Sequence, residues 1–338
     1  SDKQLRVLLG TFLLMAALQV PLSYFQRFVQ FSDAMHTGDP ITGSVTVSSS
    51  LTMVMCMVIA LIISLYVHRK IALSLTLVLF FFLAAPTAIN ETKGTVLLLP
   101  LATLGPFLLA QGVDKKWRMA APVIGICVIA LIAFATVYDM LIAARWGAVG
   151  LTEFFSGEKV GGYIYRGSEA GDENIARLDS MILPLEYMSG QWMRTMFGLG
   201  VGNVSPAPLP ELQGAYFEIG KELGFGITAI GNLIWETGII GMTMYLVLFL
   251  MIWRDTRRCA KLDDNSSHGW SYTWWSICVV IFVLGFAYKS VLQLNELGYI
   301  VFFWSGLMAT RYWYLRHPTA DMAAKEEPTR RVLQLAGQ

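Results

Sequence analysis

The sequence predicts an all-α, polytopic membrane protein. Of its 338 residues, 55% are hydrophobic and 14% are charged, and that charged fraction is about half the value for an ordinary soluble domain. Several apolar runs approach or exceed the roughly 20 residues that a helix needs to cross a bilayer. Helices are expected because backbone polar groups in lipid must be satisfied within their own segment. The net charge of +1 carries no information about nucleic acid, and no nucleic-acid partner is expected.

About eight transmembrane helices are predicted from these apolar runs. They cover residues 6–26, 47–67, 71–89, 94–113, 119–141, 226–253, 272–290 and 297–315. The chain then divides into transmembrane helices 1–5 (1–141), a large loop (142–225), transmembrane helices 6–8 (226–317) and a polar tail (318–338).

Lys and Arg fall on one side of this arrangement. They occur at Lys3 and Arg6 and in HRK (68–70), DKKWR (114–118), WRDTRRCAK (253–261) and RYWYLRH (311–317). Cytoplasmic loops of membrane proteins are enriched in Lys and Arg. Both termini are therefore predicted to be cytoplasmic, and the 142–225 loop is predicted to be extracytoplasmic.

The large loop is net acidic but contains spaced basic residues. Its residues 175–197 have apolar side chains at helical spacing, which predicts one amphipathic helix at the outer membrane interface. The loop also contains FGLGVGN (197–203). Residues 198–203 of this motif are called the glycine turn below.

The glycine turn has a superficial likeness to a nucleotide-binding loop. Such a loop needs G-x-G-x-x-G between a strand and a helix. Here the spacing is G-x-G-x-G-N, and SPAPLP (205–210) follows. We therefore expect a turn whose glycines adopt positive φ angles, with no nucleotide or other cofactor.

The glycine turn, NLIWETGIIG (232–241) and NETKGTVLLLP (90–100) together resemble the superfamily of O-antigen polymerases and O-antigen ligases. The matching residues are Gly200, Gly202, Asn203, Asn232, Glu236, Gly238 and Gly241. The resemblance implies a GT-C-like glycosyltransferase of the bacterial inner membrane. Ligases of this family have a His where this chain has Gly231, and the 142–225 loop contains no His. A polymerase is therefore favoured over a ligase.

The resemblance implies transfer of a glycan from a polyprenyl diphosphate to a hydroxyl group. A departing diphosphate needs fixed cations, and arginine binds phosphate oxygens through two donors at once. Arg177 and Arg166 are the predicted catalytic cations, and Glu218 is the predicted general base. The predicted substrate-binding residues are Lys93, Arg145, Arg194, Arg27, Asn203 and Asn232. Ion pairing with neighbouring acids or anchoring to lipid head groups would also explain these cations.

Two further expectations concern acidic residues. No Asp, Glu or His cluster has metal-ligand spacing, so a metal-independent reaction is expected. Glu236 falls inside a predicted span, where a carboxylate is costly. It is expected either to face a cavity or to cap a helix break at Gly238 and Gly241.

The favoured function is a polymerase that joins polyprenyl-diphosphate-linked oligosaccharides into a surface polysaccharide. The alternative in the same family is a ligase that transfers the glycan to a lipid A core or to a protein. A transporter, a flippase or an export subunit is the alternative from another class, although the nearly charge-free spans disfavour transport. The expected partners are the lipid-linked donor, the bilayer and other membrane proteins of polysaccharide assembly.

The predicted orientation can be tested by cysteine labelling. A cysteine replacing Ser168 should react with a membrane-impermeant reagent added from outside, whereas a cysteine replacing Ser266 should be protected, because the Lys/Arg asymmetry places it in the cytoplasm. The opposite labelling pattern would contradict the orientation.

Overall fold

A computed structural model describes residues 2–32, 40–90, 92–114, 116–137, 139–140, 176–207, 209–263 and 268–317. Within these residues every regular element is helical. The α-helices are α1 (Asp2–Phe25), α2 (Ser48–Val67), α3 (Leu73–Ile89), α4 (Thr95–Leu109), α5 (Lys116–Val137), α6 (Arg177–Tyr187), α7 (Trp192–Phe197), α8 (Phe217–Glu222), α9 (Ala229–Leu262), α10 (Gly269–Tyr288) and α11 (Asn295–Arg316). A π-helical turn (Gln26–Gln30) extends α1, and 3-10 turns lie at Pro210–Leu212 and Val291–Gln293.

A helix lies at each of the eight predicted transmembrane ranges. Among the described residues, four helical segments are both long and apolar enough to cross a membrane: Val7–Gln30, Ser48–Val67, Ala229–Leu262 and Gly269–Tyr288. Two others, α3 and α4, are apolar but shorter. These helices give the chain the character of a helical membrane protein.

The central helix of the bundle is α2. Nearly all of its side chains are buried, and it packs against α3, α4 and α10. Its 20 residues include no charged side chain. A helix that is apolar around its whole circumference can be enclosed by neighbouring helices without burying an unpaired charge.

A cluster of tryptophan rings joins α10 to α2 and α11. Nε1 of Trp274 donates to the Met57 carbonyl oxygen at 2.8 Å. The Trp274 ring lies edge-on to Trp304 and Trp275, with centroids 4.8 and 5.6 Å away. Because a buried indole N–H needs a partner, the bond to Met57 fixes the position of this large side chain.

The two ends of the bundle differ in charge. The basic end comprises residues 68–72, 110–118, 254–263 and 311–317. There, Arg311 Nη2 and the Tyr272 hydroxyl both donate to Asp263 Oδ2, at 3.0 and 2.5 Å. Arg257 Nη1 donates to the Leu109 carbonyl oxygen. These bonds connect the ends of α4, α9, α10 and α11.

The opposite end, called the glycine-turn end, comprises residues 40–46, 90–95, 176–228 and 288–296. Gln26 Oε1 accepts from the amides of Thr42 and Gly43, at 3.0 and 2.7 Å. Asn90, which is fully buried, donates through Nδ2 to the Ser48 carbonyl oxygen at 3.0 Å. Side-chain amides therefore hold the chain segments at this end.

Glu296 also holds two chain segments together at the glycine-turn end, through its side-chain carboxylate. Its carboxylate accepts from the Thr46 amide and from the Thr46 hydroxyl, both at 3.1 Å. Partial burial raises the pKa of Glu296, but hydrogen bonds from its own amide and from Thr46 outweigh burial and lower the pKa below its ordinary value. Glu296 thereby links the start of α11 to the segment before α2.

The prediction of one amphipathic helix over residues 175–197 is wrong. The structure has two helices, α6 and α7, separated by a turn in which Gly190 has a φ of +79°. Ser180 and Pro184 of α6 are buried, and α6 packs against α9. The six residues of α7, by contrast, include none that is buried. A left-handed glycine ends a helix readily, and this effect outweighed the apolar spacing.

The tryptophan cluster generates a stability prediction. Trp274→Ala should lower the thermal unfolding midpoint strongly, because it leaves a large cavity and removes the donor to Met57; comparable truncations cost about 3–5 kcal/mol. Trp313→Ala is the matched control, since that ring is 55% exposed. Equal midpoints for the two variants in lipid nanodiscs would contradict the role of Trp274.

Candidate functional site

The glycine turn folds as its sequence predicts. Gly198, Gly200 and Gly202 have φ angles of +75°, +100° and +83°, a conformation that residues with a Cβ adopt at a cost. The Asn203 side chain closes the turn by donating to the Leu199 carbonyl oxygen at 2.7 Å. The expectation of positive φ angles is confirmed.

The glycine turn lies against a break in α9. At Gly238 the backbone leaves the helical conformation, with φ +65° and ψ −168°. Such a break releases the Trp235 and Glu236 carbonyl oxygens, which would otherwise accept from amides four residues later. Instead, the Leu199 amide donates to Trp235 at 2.8 Å and the Gly200 amide donates to Glu236 at 3.1 Å.

The two backbones approach so closely that neither tolerates a side chain. A Cβ on Gly198 would lie 2.4 Å from the Glu236 carbonyl carbon, and a Cβ on Gly238 would lie 2.3 Å from the Met196 carbonyl oxygen. Both glycines also have backbone angles that are essentially restricted to glycine. The break and the turn therefore require glycine for two independent reasons.

The Glu236 side chain completes this contact. Its Oε1 accepts from the Gly202 amide at 3.2 Å and from the Ser205 hydroxyl. The expected helix break is present at Gly238, and the Glu236 carboxylate binds the glycine turn beside it. Gly241 lies within the helix beyond the break. The amides of Leu199, Gly200 and Gly202 thus bind to α9, which gives the glycine turn a role other than cradling a phosphate.

Arg177 and the segment that contains Lys93 both pack against Tyr288. Arg177 Nε donates to the Tyr288 carbonyl oxygen at 3.1 Å, and its guanidinium carbon lies 5.0 Å from the centroid of the Tyr288 ring. Gly94, next to Lys93, packs on the same ring, since a Cβ there would lie 3.0 Å from a ring carbon. Lys289 follows Tyr288 in the chain. These five residues form the Tyr288 cluster.

The helix that carries Arg177 is fixed by short polar contacts. Arg177 is the first residue of α6. The Ser180 and Thr228 hydroxyls are 2.9 Å apart, and the Ala229 amide donates to the Lys289 carbonyl oxygen at 3.1 Å. The start of α9 is therefore bound both to α6 and to the end of α10, which holds the guanidinium over the ring.

Gly231 allows α6 and α9 to pack closely. It occupies the position at which O-antigen ligases carry His. A Cβ on Gly231 would lie 2.3 Å from the Ser180 carbonyl oxygen. A side chain at this position would force α6 away from α9, and Arg177 would move with α6.

A second group of predicted residues surrounds Tyr216. The guanidinium carbon of Arg194 lies 5.5 Å from the Tyr216 ring centroid, within the range of a cation–π contact. The Tyr216 amide donates to the Asn203 carbonyl oxygen at 3.1 Å. Glu218 is exposed on α8, two residues after Tyr216. Arg194, Asn203, Tyr216 and Glu218 form the Tyr216 cluster.

Two predicted substrate-binding residues are buried. Asn232 Oδ1 accepts from the Gly226 amide at 2.7 Å, and its Nδ2 is buried with no hydrogen-bond partner among the described residues. Arg27 is 0% exposed, in the π-helical turn after α1. Protein encloses both side chains, whereas those of Arg177 and Lys93 are half-buried. Arg145 and Arg166 lie outside the described residues.

An apolar groove runs between α3, α4 and α5. Its volume is about 380 Å³, and its lining is almost entirely apolar. Thr87, near the end of α3, and Thr95, at the start of α4, line the groove, and Lys93 lies two residues before Thr95. Thr95 Oγ1 is buried and has no hydrogen-bond partner within the described part of the chain. The groove therefore reaches the end of the α3–α4 hairpin that carries Lys93 and Gly94 of the Tyr288 cluster.

Neither the models of known protein families nor the curated proteins give a match to this chain.

Sequence reasoning did not identify Tyr288 as a site residue. Its aromatic ring at the end of an apolar helix is typical of interfacial tyrosines, so no sequence pattern distinguishes it from them. The contacts with Arg177 and Gly94 join segments more than 100 residues apart in the chain, and only the folded structure reveals them.

The contact between the glycine turn and α9 predicts unequal effects of Gly→Ala substitutions. Gly238→Ala should destabilise the protein by more than the roughly 1–3 kcal/mol that a strained backbone angle costs, because the new methyl group also collides with Met196. Gly306→Ala is the control, since a Cβ there meets nothing within 4 Å. Thermal unfolding would contradict this account if both variants matched the wild type.

Proposed function

We propose that this protein is a glycosyltransferase of the polymerase type in the bacterial inner membrane, with the glycine-turn end outside the cytoplasm. It transfers a growing glycan from its polyprenyl diphosphate to a hydroxyl group of a second lipid-linked oligosaccharide. The observation that carries the proposal is the Tyr288 cluster, in which Arg177 lies over the Tyr288 ring and Lys93 lies two residues before Thr95, which lines an apolar groove.

The donor's chemistry matches the two parts of this arrangement. A polyprenyl diphosphate joins a long apolar chain to a dianionic head group. The groove between α3, α4 and α5 offers an apolar surface for the chain, and its Thr95 end lies beside Lys93. The Tyr288 ring and carbonyl oxygen orient the Arg177 guanidinium before the donor arrives. Such preorganisation supports binding of the head group.

The bond changes define what each residue does. The acceptor hydroxyl oxygen attacks the anomeric carbon of the donor glycan, and the bond from that carbon to the diphosphate oxygen breaks. Charge then develops on the diphosphate, where Arg177 and Lys93 stabilise it. The hydroxyl proton passes to a carboxylate, and Glu218 is the proposed base. The reaction needs no nucleotide.

The Tyr216 cluster is the proposed binding site for the acceptor, the second lipid-linked oligosaccharide. It offers an exposed carboxylate, an aromatic ring and a guanidinium, which are groups that hydrogen-bond to and stack against sugars. Along α9, Ala229 contacts the residue after Tyr288 and Glu236 contacts the glycine turn. Seven residues of helix separate these two contact points along α9 by about 10 Å.

The proposal can be tested with purified protein in liposomes that contain only a polyprenyl-diphosphate-linked oligosaccharide. Longer glycans should form, with one polyprenyl diphosphate released for each new glycosidic bond. Transfer only to an added lipid A core would support the ligase alternative. Movement of the donor across the bilayer without any new bond would support the transporter alternative.

Arg177 gives the sharpest substitution test. Arg177→Ala should reduce the transfer rate about 100-fold or more, as removal of a transition-state cation or donor commonly does. Arg177→Lys should restore only part of the rate, because an ammonium group cannot reproduce the planar fork. A polysaccharide ladder on a gel reports the result.

Two controls accompany these variants. Tyr288→Phe should retain most activity, since the ring and the backbone acceptor of Arg177 both remain. Arg254→Ala removes an exposed arginine at the basic end and should leave transfer unchanged. Full-length polysaccharide from Arg177→Ala would show that the proposed cation site is wrong.

A further inference from the structure

The short helix α7 has one bound face and one open face. On the bound face, the Thr195 hydroxyl donates to the Met188 carbonyl oxygen at 3.1 Å, and Arg194 packs on Tyr216. The open face carries Trp192, Met193, Met196 and Phe197, and three of these side chains are more than half exposed. Residues three or four apart are neighbours on a helix surface, so Met196 adjoins both Trp192 and Met193, and Phe197 adjoins Met193. The four side chains therefore form one apolar patch.

The patch begins where the exposed apolar stripe of α9 begins. The Met196 carbonyl oxygen lies 2.3 Å from the position of a Cβ on Gly238, which places α7 directly at the break in α9. Beyond the break, α9 exposes apolar side chains at helical spacing, namely Ile240, Met244, Val247, Leu248 and Met251. This segment belongs to a helix that is long and apolar enough to cross a membrane. Its exposed stripe is therefore expected to face lipid.

We propose that the apolar face of α7 lies in the boundary between the lipid head groups and the acyl chains. The helix would anchor this end of the protein at the membrane interface and so set the depth of the glycine turn in the bilayer. The partner is the lipid surface, because the patch continues a stripe that itself faces lipid. Tryptophan and phenylalanine on an amphipathic helix favour this depth. This inference does not depend on the glycosyltransferase proposal.

A fluorescent amino acid placed at single positions tests the proposal in lipid nanodiscs. The test position is Met193, and Phe197 is a second test position on the same face. Met244, on the exposed stripe of α9, is the lipid-facing control. Ser189, exposed in the turn between α6 and α7, is the water-facing control. Brominated phosphatidylcholine quenches probes in contact with acyl chains, and iodide quenches probes in water.

Probes at Met193 and Phe197 should behave like the probe at Met244. Each should lose most of its emission in brominated lipid and little in iodide, and the Ser189 probe should show the reverse. Quenching by iodide alone would overturn the proposal. Protection from both quenchers would also overturn it, because a second protein surface would then cover the patch. Wild-type elution from a size-exclusion column confirms that each variant is folded.

Discussion

The break of α9 at Gly238 is the constraint on which the glycine-turn end depends. A helix interrupted there leaves two carbonyl oxygens without their helical donors, and unsatisfied backbone groups are costly away from water. The amides of Leu199 and Gly200 supply the missing donors, and Gly202 and Ser205 bind the Glu236 carboxylate. The position of the glycine turn, and of α7 before it, follows from this requirement.

The same segment of α9 connects the two clusters of candidate functional residues. Its first residue binds Lys289, beside the Tyr288 cluster, and its last turn before the break binds the glycine turn, beside the Tyr216 cluster. In both clusters an arginine lies over a tyrosine ring. An aromatic ring limits how far a guanidinium can move without neutralising its charge, so both arginines keep their charge while their positions are restricted.

Much of the fold could be predicted because long apolar runs in a chain with few charges leave helices as the expected element. The positive φ angles of the glycine turn and the break at Gly238 were also predictable, since glycine is the residue that permits both. The division of residues 175–197 into two helices was not predicted. The apolar spacing continues across Gly190, whereas the helical backbone conformation does not. The gathering of Arg177 and Lys93 at Tyr288 could not be predicted, because it depends on packing between distant segments. The resemblance suggested which cations matter, but it contained no information on which aromatic ring would hold them.

The central claim is that the glycine turn caps the broken helix. Hydrogen exchange at the Leu199 and Gly200 amides measures those two bonds directly. The account predicts that both amides exchange orders of magnitude more slowly than unstructured amides, in protein to which no nucleotide or donor has been added. Exchange at the unstructured rate, while the amides within α9 remain protected, would contradict it.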